Sequence, residues 1–262
     1  MATHFIIGTE YKVFEEALRK ALQQFETSGE YVTMGDRNVI KKIEIDGKVF
    51  NIKKFKTPNF LQSLVYRFLR KSKAKRSFEY ASLLIDKGIN TPYPVAYAEN
   101  FGVGLEQSYY ISEHLEYDFD FRVLNHNPKW PNRAEILRQM AAFTFKLHES
   151  GINFLDHSPG NTLIKDRADG SYDFYLIDLN RMRFEPMDFN KRMHNFRRLW
   201  LSKTMINIMA KEYANLYGKS ESETHALMTK HSREFQKKVN SKKLRRRKRW
   251  IIFRLYAIGI KQ

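Results

Sequence analysis

Residues 155–184 read LDHSPGNTLIKDRADGSYDFYLIDLNRMRF and hold an acid, an amide and a second acid: Asp156, Asn161 and Asp178. Two short β-runs, 162–165 and 174–177, flank Asp166-Arg167-Ala168-Asp169-Gly170, whose turn chemistry predicts a hairpin. Closing that hairpin returns Asp178 to the side of Asn161. Two oxygen ligands placed there suit Mg²⁺, a hard cation that takes one or two carboxylates together with substrate phosphates. Asp156, five residues upstream of Asn161, is expected on the loop before the hairpin, free to orient a hydroxyl. Asp166, Asp169, Gly170 and Asp173 miss the alternating ligand spacing of a calcium loop and read as turn residues. The eight histidines form no pair with zinc spacing.

On either side of this stretch the chain is helical. Residues 135–149 place Ile136, Met140, Phe143 and Leu147 on one stripe, closed by Gly151. Downstream, 187–217 and 220–239 read as helices, the second opened by a Ser220-x-x-Glu223 capping box. The hairpin is the only β-structure expected in this half, and a lone hairpin among helices points to a role beyond packing.

Further upstream the pattern is different. Residues 10–27 form an amphipathic helix, with Tyr11, Phe14, Leu18, Ala21, Leu22 and Phe25 at helical spacing. Short β-runs follow at 31–34, 38–45 and 49–55, the last two joined by Asp46-Gly47. A basic helix over 64–88 and β-runs at 95–99 and 108–112 complete a five-stranded antiparallel sheet with one helix inserted after the third strand. Glu113-His114-Leu115-Glu116 is the exit from this small lobe. The fold class is therefore α+β in two lobes, 1–115 and a mainly helical 116–262. Alternation puts Asn51, Lys53 and Phe55 on one strand face. Taken alone, Lys53 is either a solvated strand lysine or a functional cation, and Glu79 either a solvated helix charge or the partner of Lys53.

At 262 residues and 42% hydrophobic the chain is long and apolar enough for a real core. The absence of cysteine excludes a disulfide scaffold, thiolate metal sites and cysteine nucleophiles. The start lacks a basic segment followed by a long apolar run, and no run reaches membrane-spanning length, which predicts a cytoplasmic protein. A net charge of +17 predicts attraction to a polyanion. In the tail, 237–262, Lys237, Lys238, Lys242, Lys243, Arg245, Arg246, Arg247, Lys248 and Arg249 precede the apolar and aromatic run 250–258. This tail reads either as a segment that binds an anionic membrane surface or as a packed helix with its basic face in water. No RNA-binding motif is present, and the aromatics are not interleaved with the basic run, so no nucleic-acid partner is expected.

Lys53 and Glu79 in a small β-lobe, an exit near Glu113, and Asp156, Asn161 and Asp178 in that order resemble the protein-kinase fold. Leu147-His148-Glu149-Ser150-Gly151-Ile152, residues 156–164 (DHSPGNTLI), residues 176–184 (LIDLNRMRF) and residues 89–97 (INTPYPVAY) are similar to the lipopolysaccharide kinase family, which includes Kdo and core heptose kinases. The resemblance implies ATP-dependent phosphorylation of a sugar hydroxyl on a lipid-linked inner-core acceptor, at the inner face of the cytoplasmic membrane. It implies that Lys53 grips the nucleotide phosphates and is oriented by Glu79, and that Asp156 acts as base. Asn161 and Asp178 would hold Mg²⁺, and the turn at Gly35 and the exit residues Glu113 and Leu115 would contact ATP. The basic segment 67–76 and the tail fit an anionic, lipid-borne substrate. The chain departs from protein kinases in Phe154-Leu155-Asp156, in Leu179-Asn180 after Asp178, in lacking an Ala-Pro-Glu stretch, and in having only Gly35 where a Gly-rich loop belongs. A kinase of another small molecule or of a protein, and a membrane-associated pseudokinase or adaptor, are the alternatives. His157 is read as either an acceptor contact or loop packing, and Arg181 and Arg183 as either substrate contacts or loop partners.

Overall fold

The computed structural model describes residues 2–35 and 38–257, with side chains for 4–35 and 38–250. Asp36 and Arg37 of the turn expected at 34–38, and Ile258 at the end of the apolar tail run, lie outside the described residues. In chain order the elements are β1 (Ala2–Ile7), α1 (Glu15–Gln23), β2 (Glu30–Met34), β3 (Asn38–Ile45), β4 (Lys48–Phe55), α2 (Phe60–Phe68), α3 (Lys73–Asp86), β5 (Pro94–Phe101) and β6 (Leu105–Glu113). Then come β7 (Phe119–Asp120), α4 (Arg122–His126), α5 (Arg133–Glu149), β8 (Ile152–Phe154), β9 (Thr162–Asp166) and β10 (Tyr172–Leu176). The chain continues through β11 (Met182–Phe184), α6 (Phe189–Asn195), α7 (Lys203–Tyr217) and α8 (Glu221–Ala257).

These elements form two compact units. The first comprises Met1–Phe119, Asn161–Asp166 and Asp173–Met182. Its sheet is antiparallel with strand order β1-β5-β6-β4-β3-β2. Six strands are present where five were expected, because β1 lies along β5 from Ala2 opposite Phe101 to Ile7 opposite Ala96. The run 2–7 is too short for its period to register; pairing with β5 is what makes it a strand. Asp46 and Gly47 both adopt positive φ, 49° and 75°, the backbone that a two-residue hairpin turn requires.

Alternation along the strands divides the core of this unit between two sheet faces. Phe50, Ile52, Ala96, Ala98, Tyr109 and Ile111 pack with Leu18 and Phe25 at α1. Lys41, buried beside them, donates its ammonium to the carbonyls of Phe25, Glu26 and Ser28 at 2.6, 3.2 and 3.0 Å, closing the chain that leaves α1. On the other face Phe55, Tyr97 and Tyr110 pack with Ala74 and Phe78 of α3. The single helix expected over 64–88 is two helices: Ser72 caps the second by accepting from the Lys75 amide at 3.0 Å, which ends the path of the first. Residues 162–166 and 173–176 of the β9–β10 hairpin belong to this unit, where Leu176 N donates to Asn90 O at 3.0 Å and Thr91 Oγ1 to Leu176 O at 2.8 Å.

The second unit, Asp120–Gly160, Arg167–Tyr172 and Arg183–Gln262, is mainly helical. In it α5 packs on α7 and α7 on α8, burying Ile136, Met140, Leu147, Met205, Met209 and Tyr213. Gly151, at φ 70°, ends α5 as its sequence predicts. The helix expected over 187–217 is broken instead. A 3₁₀ turn over Phe196–Leu199 and Trp200 at φ 58° interrupt it, and Ser202 starts α7 by accepting from Met205 N. The Ser220 half of the capping box is present, with Glu223 N donating to Ser220 Oγ at 3.1 Å, but α8 runs beyond 239 to Ala257. Short strands β8 and β11 pair, so the hairpin is not the only β-structure in this half.

Candidate active site

A cavity of about 180 Å³ opens within the first unit, on the sheet face that carries Asn51 and Lys53. Val32 of β2 and Ile40 of β3 supply one apolar wall; Leu163 of β9 and Ile177, just past β10, supply another. Ser112, His114 and Leu115 of the exit from β6 line it, with His114 Nδ1 3.0 Å from Asn51 Oδ1. Tyr110, also in the lining, has its hydroxyl pKa pushed up by burial and stays neutral. Apolar walls with a few convergent polar groups are what a flat heteroaromatic ring carrying an anionic tail requires. A larger cavity of about 280 Å³, lined by Phe5, Arg19, Phe25, Glu26 and Tyr109, lies on the face toward α1, away from Lys53 and Asp178.

The charge in the smaller cavity is Lys53 paired with Asp178, Nζ to Oδ1 at 2.7 Å. Ile177 N donates to Asn161 O at 3.0 Å, so the hairpin returns Asp178 to Asn161 as its turn residues predict. Asp178 sits at φ 60°, a left-handed conformation costly for a residue with a Cβ, held because its neighbours over-determine it. Asn180 Nδ2 donates to Asp178 Oδ1 at 2.8 Å, and Arg76 of α3 donates to Asn180 O at the same distance. Arg76 is buried, and desolvation pulls its pKa down from the usual guanidinium range. The remaining oxygen of Asp178 has no hydrogen-bond partner among the described residues. An open carboxylate oxygen beside an amide residue fits a hard cation completed by phosphate oxygens. Among the described residues no cluster of three or more His, Cys, Asp or Glu side chains forms an alternative metal site.

Other expected site residues are placed differently. Glu79 does not meet Lys53; its carboxylate takes Lys71 at 2.8 Å, because Lys71, exposed just before α3, reaches it while Asp178 occupies Lys53. Glu113 turns to the opposite sheet face, where Tyr11 Oη and Lys48 Nζ each donate to it at 2.7 Å. Desolvation works to raise its pKa, but those two hydrogen bonds outweigh it and leave Glu113 below its ordinary value. Gly35 is not in the cavity lining; its amide donates to Asn38 O at 3.2 Å, and Val32 and Thr33 take its place in the wall. Leu115 does line the cavity. The basic segment 67–76 is also less uniform than its composition, since Arg76 is buried against Asn180.

In the second unit Asp156 is ion-paired with Arg198 at 2.6 Å. Its loop is clamped by the buried Asn195, whose Nδ2 donates to Asn153 Oδ1 and Phe154 O at 3.1 and 3.0 Å. Asn195 Oδ1 also meets His157 Nδ1 at 3.0 Å. His157 is fully buried and stacked on Phe154, which assigns it to loop packing. Nothing local in the sequence marks Arg198 or Asn195; the break between α6 and α7 brings them to the loop. Asp169 accepts from the Ser171 amide at 2.8 Å, a turn role in place of a calcium ligand. From residue 240 to 250 every position of α8 is exposed, and among the described residues no ion pair is formed by Lys242, Lys243 or residues 245–249. Among the described residues no helix is long and apolar enough to cross a membrane.

Comparison with known proteins agrees with this architecture. Residues 21–219 match the lipopolysaccharide kinase (Kdo/WaaP) family. No curated protein matches the chain in sequence. Among solved structures the chain is similar to WaaP in a complex with acyl carrier protein, at 15% identity and a TM-score of 0.64, covering 89% of this chain and 98% of that one. A MAP kinase from Leishmania major matches at 14% identity and a TM-score of 0.45, over 76% of this chain and 60% of that one. The likeness to WaaP shows a kinase-like fold.

Proposed function

Since the chain belongs to the lipopolysaccharide kinase (Kdo/WaaP) family, we propose that it uses ATP to phosphorylate a sugar hydroxyl, of Kdo or heptose, in the lipopolysaccharide inner core. The observation that carries this reading is the Lys53–Asp178 pair at the cavity lined by Val32, Ile40, Leu163 and Ile177. The apolar walls receive the base, and Lys53 exchanges its carboxylate partner for nucleotide phosphate oxygens. Mg²⁺ held by Asn161 and Asp178 would supply positive charge against the transferring phosphoryl group. Asp156 orients the acceptor hydroxyl and takes its proton, with Arg198 fixing the carboxylate and Asn195 fixing the loop. Chemistry of this kind rests on positioning and charge neutralisation.

The exposed basic run of α8 supports a peripheral place on an anionic membrane, at the inner face of the cytoplasmic membrane where the lipid-linked acceptor would lie. Phosphate transfer from ATP to a Kdo–lipid A acceptor tests the activity. The wild type should turn over and Asp156→Ala should lose about 10³-fold or more in kcat. Equal rates in the two proteins would defeat the role given to Asp156, and transfer only to a different acceptor would redirect the substrate.

A further inference from the structure

Helix α2 is amphipathic, yet it buries no residue. It is tied to the first unit by one edge. Ser63 Oγ donates to Leu105 O at 2.8 Å, and Arg67, one turn later, donates to Gly102 O. Gly104 permits this approach: a Cβ there would stand 2.2 Å from Ser63 Oγ. At 100° per residue Leu61, Val65, Phe68 and Leu69 fall on a stripe that points away from the Ser63–Arg67 edge, with Phe60 and Leu64 at its border beside Arg67. Phe60, Leu61, Phe68 and Leu69 are accordingly 69, 74, 69 and 83% exposed. The helix is itself well formed, with Asn59 accepting from Gln62 N at its start, so the apolar stripe is presented on a fixed scaffold.

Charge identifies what covers it. No acid occurs between Asp46 and Glu79, and exposed Arg67 and Arg70 border the stripe at its C-terminal end, with Lys71 beyond them paired to Glu79. Bulky apolar side chains on a convex helix, rimmed by cations, match the boundary between headgroups and acyl chains of an anionic bilayer. We propose that α2 is an interfacial helix that seats its apolar stripe in an anionic phospholipid surface, a contact distinct from the electrostatic one assigned to the tail. This rests on the reading of the acceptor as lipid-borne. Two weak signals, an apolar wedge and a polybasic segment, together give the stable but reversible attachment that neither gives alone.

The test uses the full chain and sedimentation with mixed phosphatidylglycerol–phosphatidylcholine vesicles, without ATP or acceptor, so that its outcome is independent of the kinase reading. The double substitution Phe60→Ser with Phe68→Ser should weaken binding about 100-fold, as expected for removing two aromatic side chains from an apolar phase. Because both positions are exposed, the thermal melt should be unchanged. As a second readout, Phe68→Trp should show a blue-shifted emission on adding the mixed vesicles and little shift with phosphatidylcholine alone. Wild-type binding by the double variant, or no shift from Trp at 68, would overturn the proposal even if truncation of 237–262 abolished binding. Self-association of the wild type that the double variant removes would instead assign the stripe to a second copy and overturn it too.

Discussion

Arg76 and Asn180, far apart in the chain, are joined by a 2.8 Å hydrogen bond from the guanidinium Nη1 to the backbone carbonyl. Because Asn180 in turn donates to Asp178 Oδ1, the α3 arginine sets the position of a carboxylate it does not touch. Its Nε also donates to Ser72 O at 3.3 Å, so two carbonyls depend on one planar group. Arg76→Lys cannot serve both. We expect a loss of about 1–3 kcal/mol in urea unfolding, from a buried carbonyl left short of its donor, and a fall in kcat of roughly tenfold. An unchanged kcat alongside the stability loss would reduce Arg76 to a purely structural role.

The Lys53–Asp178 pair makes separable predictions for its two members. Asp178→Asn keeps the volume but removes the negative charge; kcat should fall about 10²–10³-fold with the fold intact by circular dichroism. Lys53→Met should raise the KM for ATP as well as lower kcat, since Lys53 is assigned to the nucleotide itself. If Lys53→Met alters neither constant, the cavity is not the nucleotide site.

Two buried histidines give the protein an acid-side weakness. Burial lowers the pKa of His148 to about 3 and of His157 to about 4, so both are neutral in the folded chain, whereas in the unfolded chain each charges near pH 6.5. Their folded values being depressed, stability is fully present above about pH 6.5 and declines as pH falls, because the unfolded state binds the extra protons. Each contributes a slope of about 1.4 kcal/mol per pH unit down to its folded pKa. Urea unfolding measured from pH 7.5 to 5 should show the decline, and His148→Gln, able to keep a hydrogen bond to Tyr213, should make it shallower by about 1.4 kcal/mol per pH unit while the His157 contribution remains. A wild-type profile flat across that range would show that these rings are not held neutral.

Lys41 holds three carbonyls after α1 with one ammonium. Replacing it with Met retains the stem and removes the donors. Unfolding free energy should drop by about 1–3 kcal/mol. The KM for ATP should stay within about twofold, since Lys41 lies outside the cavity lining. A stability change below a few tenths of a kcal/mol would indicate that those carbonyls find other partners.

Much of the architecture was legible from local pattern. The Asp46-Gly47 turn, the Ser220 cap, the Gly151 stop and the 162–177 hairpin each depend on a few adjacent residues, and each is found. What local pattern missed required a distant partner. Strand β1 exists because the edge of β5 pairs with it, and the division of 64–88 into α2 and α3 follows from Ser72 being buried as a cap. Arg76 read as one more cation in a basic segment; only its burial against Asn180 separates it from Arg70 and Lys71.

The same division runs through residues 155–184. The sequence by itself determined the order of Asp156, Asn161 and Asp178 and the hairpin that returns the last to the second, because turn chemistry and strand alternation act over short range. Tertiary structure decided who pairs with whom. It gave Lys53 to Asp178 and Glu79 to Lys71, turned Glu113 away from the cavity, put Val32 and Thr33 where Gly35 was expected, and sealed His157 in the loop packing. Pairing at short range between charges many residues apart depends on sheet register and helix packing, and no stretch of sequence encodes these locally.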